Sequence, residues 1–112
     1  MSSAATPRSQ QHLDAIHEVA PKLEDLSAKV LFGDVWERTE LSKRDRSLVT
    51  IAALIAMNRV EVIPGHMQRA LDNGVTKAEI GEVITHLAFY SGWPTAASAA
   101  LIAHTLFESQ KG

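Results

Sequence analysis

Gly65-His66-Met67-Gln68-Arg69-Ala70-Leu71-Asp72-Asn73-Gly74-Val75-Thr76-Lys77-Ala78-Glu79-Ile80-Gly81-Glu82-Val83-Ile84-Thr85-His86-Leu87-Ala88-Phe89-Tyr90-Ser91-Gly92-Trp93-Pro94 decides the fold. Asn73-Gly74 stops one helix, because glycine accepts the left-handed backbone that follows a helix end. Thr76 and Glu79 have the spacing of a capping box and start the next. Ile80, Val83, Ile84, Leu87 and Ala88 then recur at the spacing of one buried helical face. The stretch closes on Tyr90-Ser91-Gly92-Trp93-Pro94, an aromatic corner. It sets His66 on the first helix and His86 on the second, and histidine is the side chain best suited to move a proton near neutral pH.

Helices extend outward on both sides. Upstream, Ser42 is a good N-cap with Asp45 three residues on. The helix it opens carries Leu48, Ile51, Ala52 and Ile55 on one face, with Val49, Ala53 and Ala56 beside them. So wide an apolar arc predicts burial on most sides, with an end near Asn58. Pro64 fits the first turn of the next helix, begun between residues 61 and 64. Further back, Leu13, Ile16, Leu23, Leu26, Val30 and Leu31 recur near helical spacing, and Pro21 predicts two helices meeting near Ala20. Phe32-Gly33-Asp34-Val35-Trp36 turns the chain. Downstream, an alanine-rich helix covers about residues 95–108, with Pro94 at or just before its start. No segment alternates as a strand. The fold class is all-α, with about six helices.

The 112 residues predict one domain over 8–112 behind a disordered start over 1–7. Hydrophobic residues make up 46% of a chain too small to bury them all alone, which predicts self-association. Net charge is −2, with acids and bases mixed along the chain, so no nucleic-acid partner is expected. Residues 48–57, the most apolar run, are too short to span a bilayer, and the first residues lack the apolar core of a signal peptide. A cytoplasmic protein without a membrane partner is expected. The sequence has no cysteine, which excludes thiol chemistry. No histidine pair has the short spacing of a metal motif, so no metal is expected. Neither a phosphate loop nor a dinucleotide fingerprint is present, and Ser91 does not sit in a nucleophile elbow.

The residues that could carry chemistry are therefore few. His66 falls in the first turns of its helix, where the helix dipole lowers a histidine pKa and attracts anions. It is either an acid/base group or a plain hydrogen-bonded histidine. His86, beside the apolar stripe, is a second acid/base candidate or a satisfied core residue. Arg44, Arg46, Arg59 and Arg69 could clamp carboxylates. For Arg44 and Arg69 a solvated surface charge is the default, whereas Arg59 lies just before the helix of His66. Trp36, Tyr90 and Trp93 could wall a pocket or be core or interface residues.

Three runs, Leu41-Ser42-Lys43-Arg44-Asp45-Arg46-Ser47-Leu48-Val49-Thr50, Gly65-His66 through Gly74, and His86 through Pro94, resemble the carboxymuconolactone decarboxylase family. Phe32 through Trp36 resembles its upstream segment. One branch, similar to alkylhydroperoxidase D, uses Cys-x-x-Cys-x-x-x-His with a glutamate upstream. Here those cysteine positions fall on Arg59 and Val62, and the glutamate position falls on Ser47, so thiol peroxidase chemistry does not carry over. The His86–Pro94 run resembles the cysteine-free branch. The resemblance implies an antiparallel helical bundle of the alkylhydroperoxidase D-like type, assembled as a homotrimer or homohexamer. It implies decarboxylation of a small anionic lactone, 4-carboxymuconolactone, to the 3-oxoadipate enol-lactone in protocatechuate catabolism. No cofactor is implied, because the substrate is its own electron sink. On that chemistry His66 and His86 are the catalytic candidates. Arg46 and Arg59 would bind carboxylates, and Tyr90, Trp93 and Trp36 would exclude water. Two alternatives are a related enzyme on another small carboxylated lactone or keto acid, and a non-catalytic oligomeric binding or stress protein.

Overall fold

The computed structural model describes residues 8–111; the segment 1–7, expected to be disordered, lies outside them. Helices α1 (Arg8–Val19), α2 (Pro21–Leu26), α3 (Lys43–Ala56), α4 (Ile63–Asp72), α5 (Lys77–Ser91) and α6 (Trp93–Ser109) follow in order. Among the described residues there is no strand, as the periodicity predicts. The chain divides into two compact units, with the boundary after Glu40.

In the N-terminal unit the break falls where Pro21 predicts it. Ala20 takes φ −140 and ψ 69, and Pro21 opens α2. His17 Nδ1 lies 2.6 Å from Glu24 Oε1 across the break. Helix α2 continues into π-helical turns over Ser27–Phe32. Gly33 follows because a Cβ there would meet the Lys29 carbonyl oxygen at 2.7 Å. A short 3₁₀ turn, Val35–Glu37, then holds Trp36, whose ring centroid is 5.7 Å from that of Phe32. Trp36 is buried, whereas Leu13, Val19, Leu23 and Val30 are exposed.

The C-terminal unit is built from local signals that agree with the sequence. Ser42 Oγ accepts from the Asp45 N–H at 3.0 Å and caps α3. Thr76 and Glu79 make both bonds of the capping box at the start of α5, worth about 1 kcal/mol relative to an alanine cap. Gly74 takes φ +100 after α4, and Gly92 takes φ +107 between α5 and α6. Helix α6 begins two residues earlier than expected, at Trp93. Gly92 makes the whole corner by itself, leaving Trp93 and Pro94 free to enter the first turn.

Helix α3 packs on α4, α5 and α6, while α6 also packs on α4 and α5. The short connections make sequential neighbours antiparallel. The core joins Ile51 and Ile55 of α3, Ile63, Met67 and Ala70 of α4, Ile80 and Ile84 of α5, and Ala96, Ala99 and Ala103 of α6, with Val75 between helices. The buried alanines let α6 approach its neighbours closely. Ser47 is the buried polar side chain of this unit, and its Oγ accepts from Asn73 Nδ2 at 3.0 Å.

One expectation fails. Helix α3 is not buried on most sides, since Val49 is 61% exposed and Ala53 and Ala56 are open as well. Its three neighbours cover one face, and the opposite face of its apolar arc is left to solvent.

Candidate functional site

A groove of about 510 Å³ runs along the contact of α3 with α5. Leu48, Val49 and Ala52 form one wall, and Glu79, Glu82, Val83, His86 and Leu87 form the other. Helical spacing explains both sets. Positions 48, 49 and 52 lie on adjoining rows of α3, as 79, 82/83 and 86/87 do on α5. The first turns of the two helices meet at one end of the groove, where Arg44 of α3 hydrogen-bonds Glu79 of α5.

That pair gives Arg44 a partner, where the sequence made a solvated charge the default. Glu79 is doubly engaged: Oε1 accepts from the Thr76 N–H at 2.9 Å, and Oε2 accepts from Arg44. The Thr76 N–H, followed by the Arg44 hydrogen bond, holds this carboxyl below its usual range.

His86 is exposed, not a core residue. Its ring stacks on that of Tyr90 one turn on, with centroids 4.7 Å apart. The Phe89 and Trp93 rings meet edge to face at 5.6 Å. Tyr90 and Trp93 are 77% and 66% exposed and are not among the groove's walls.

His66 is the fourth residue of α4, as predicted, and is half-buried. Burial, then the charge of Arg69, lowers its pKa below the ordinary 6.5. Both effects favour the neutral imidazole. The linkage has a definite sign. As pH falls through 6.5, the unfolded chain binds this proton before the folded one does. Stability is full above that value and declines as pH falls toward the folded pKa. Urea midpoints across this range should drop with acid, and H66Q should remove part of that slope. An unchanged slope would mean that His66 is not the group responsible.

His66 does not line the α3/α5 groove, and neither do Arg46 and Arg59. Arg46 is half-buried on α3, and its N–H donates to the Ser42 carbonyl at 2.9 Å. Arg59 is exposed in the turn between α3 and α4, where its N–H donates to the Leu54 carbonyl at 2.9 Å. Trp36 belongs to the N-terminal unit. Among the described residues no cluster of three or more histidine and acid side chains could hold a metal ion. No helix among the described residues is long and apolar enough to cross a membrane.

The groove residues that the sequence passed over as site candidates are Glu79 and Glu82. Their signal was their helical register with His86. The Arg44 contact spans 35 positions and leaves no local mark.

Helix order and the absence of cysteine define the class: an all-α chain of the alkylhydroperoxidase D-like type, lacking that enzyme's thiols. The chain matches the carboxymuconolactone decarboxylase family over residues 21–105 and belongs to it. It is 33% identical over 96 residues to the 4-carboxymuconolactone decarboxylase of Acinetobacter baylyi, covering 86% of this chain and 72% of that one. It is also 33% identical over 79 residues to the nitrosuccinic acid decarboxylase of Metarhizium robertsii, covering 70% of this chain and 55% of the relative. An uncharacterised 15.0 kDa protein of Paracoccus denitrificans is 27% identical over 104 residues.

Proposed function

We propose that this protein decarboxylates a small dianionic acid whose own structure accepts the released electron pair, with 4-carboxymuconolactone as the first substrate to test. The supporting observation is the family match over 21–105 together with 33% identity to each of two decarboxylases. In 4-carboxymuconolactone the bond to the departing carboxylate breaks, and its electrons pass through the double bond to the lactone carbonyl. In nitrosuccinic acid a carboxylate sits on the carbon bearing the nitro group, which takes the pair in the same way. Both acids keep a second carboxylate as a handle. Carbon dioxide leaves, and a proton returns to carbon.

The protein's tasks are to hold the carboxylates, stabilise the developing oxyanion and return the proton. A half-buried neutral His66 suits the second task, since a neutral imidazole N–H can donate to an oxyanion without surrendering its proton at the outset. His86, in the groove wall and open to water, suits proton return. Arg46 and Arg59 are carboxylate ligands, and Tyr90 and Trp93 exclude water, only as the family resemblance implies, since none of the four lines the α3/α5 groove. The test is loss of carboxymuconolactone absorbance on adding pure protein, with carbon dioxide release from nitrosuccinate followed in parallel. Failure of both substrates would remove the catalytic reading and leave an oligomeric binding protein.

We also propose self-association as a trimer or hexamer. Val49, Phe89, Tyr90, Trp93 and Leu101 are each at least 61% exposed, and association would cover such side chains. Sedimentation at micromolar concentration should give a mass well above 12.2 kDa. A monomer would overturn this.

A further inference from the structure

We propose that Arg44 is the carboxylate anchor of the α3/α5 groove, and that Glu79 is a built-in counter-ion which a bound dicarboxylate displaces from it. The inference rests on the decarboxylation reading only for the class of ligand.

Arg44 is not itself in the groove wall but stands one turn before Leu48 and two before Ala52 on the same face of α3, at the groove's end. Its guanidinium reaches across to Glu79, which itself lines the groove. The two partners are not equally free to move. Glu79 is pinned through Oε1 to the Thr76 N–H, part of the cap of α5. Arg44 sits on a flexible stem, and its other near acid, Asp45, is 3.8 Å from Nη1. An arriving carboxylate therefore turns the arginine and leaves the glutamate in place.

Exposure favours exchange. The Arg44 and Glu79 side chains are 38% and 41% exposed, so water reaches the pair and its own contribution to stability is small. The capped first turns of α3 and α5 lie at the same end of the groove and add positive helix-dipole potential there. Guanidinium also matches a carboxylate bidentately. Beyond the pair Leu48, Val49, Ala52, Val83 and Leu87 suit the carbon body of a small acid, and the remaining carboxylate of the lining, Glu82, is exposed to water. His86 stands seven residues along α5, about 10 Å from the level of Glu79. The opposite polar end of a dicarboxylate thus has a partner.

The test exploits a difference in sign. Binding of succinate and adipate is measured by calorimetry on the full chain, with dimethyl succinate as the uncharged control. R44A should weaken binding about tenfold or more, the usual loss for a charge-assisted hydrogen bond. E79Q should tighten it, because glutamine still serves the capping box but neither competes for Arg44 nor repels the ligand. Circular dichroism confirms that both variants fold. If Arg44 and Glu79 are only a strut between helices, neither change moves binding, or both weaken it. Either of those results overturns the proposal, as does the absence of saturable binding of both acids to the unaltered protein. Turnover is read separately, so opposite shifts in binding without any decarboxylation would keep the anchor and discard the enzyme.

Discussion

Replacing His66 with alanine should lower carboxymuconolactone turnover by roughly 10²–10³-fold, the usual effect of losing an oxyanion donor or a general acid. The side chain is half-buried near the start of α4, so its loss leaves the helix and the core stripe of Ile63, Met67 and Ala70 in place. Far-UV circular dichroism should be unchanged. Glutamine separates the two roles. It can still donate a hydrogen bond, so H66Q should recover part of the rate if His66 stabilises the oxyanion. It cannot exchange a proton near neutral pH, so H66Q should match H66A if His66 returns the proton. A rate for H66A close to that of the unaltered protein would remove His66 from the mechanism.

Ile51→Ala should be the most damaging single truncation in the core, at about 3 kcal/mol. Ile51 is fully buried on α3, the helix that packs on α4, α5 and α6 together. Three neighbouring helices would have to close around one cavity, and each is already fixed by short connections. For a chain of this size the loss corresponds to roughly 10–15 °C in melting temperature. Val49→Ala, on the exposed side of the same helix, is the control and should shift the melt far less if the chain is measured as a monomer. Equal shifts would mean that α3 is buried on both faces in solution, through association. Comparing the two substitutions at low and high protein concentration distinguishes those cases.

The elements legible in the sequence are those set by local chemistry. Ser42, the Thr76–Glu79 box, Gly74 and Pro21 each act within about one turn of chain, and each stands where the pattern puts it. The apolar stripe of α5 is legible for the same reason, because periodicity records which face is inward. What periodicity cannot record is how much of an apolar arc the neighbours cover. Val49 therefore reads as buried and is open. His86 beside the stripe allowed a core reading, yet it faces water with Tyr90 against its ring. The candidate site was harder still. Its charges meet through tertiary contact, and Arg44 and Glu79 become neighbours only when α3 and α5 lie side by side. The role of Ser47 was hidden in the same way. It stands where the thiol-bearing branch has its glutamate, and it is occupied with Asn73.

The bond between Ser47 and Asn73 also bears on how the protein ages. Asn-Gly is the dipeptide most open to deamidation, in which the following backbone nitrogen attacks the side-chain amide, ammonia leaves, and the resulting ring opens to aspartate or its isomer. At Asn73-Gly74 both reacting groups are engaged. The amide nitrogen donates to buried Ser47 at 3.0 Å, and the Gly74 N–H donates to the Leu71 carbonyl at 3.1 Å. The turn that ends α4 thus keeps glycine's backbone freedom while its most perishable bond is held out of reach for as long as the helices stay folded.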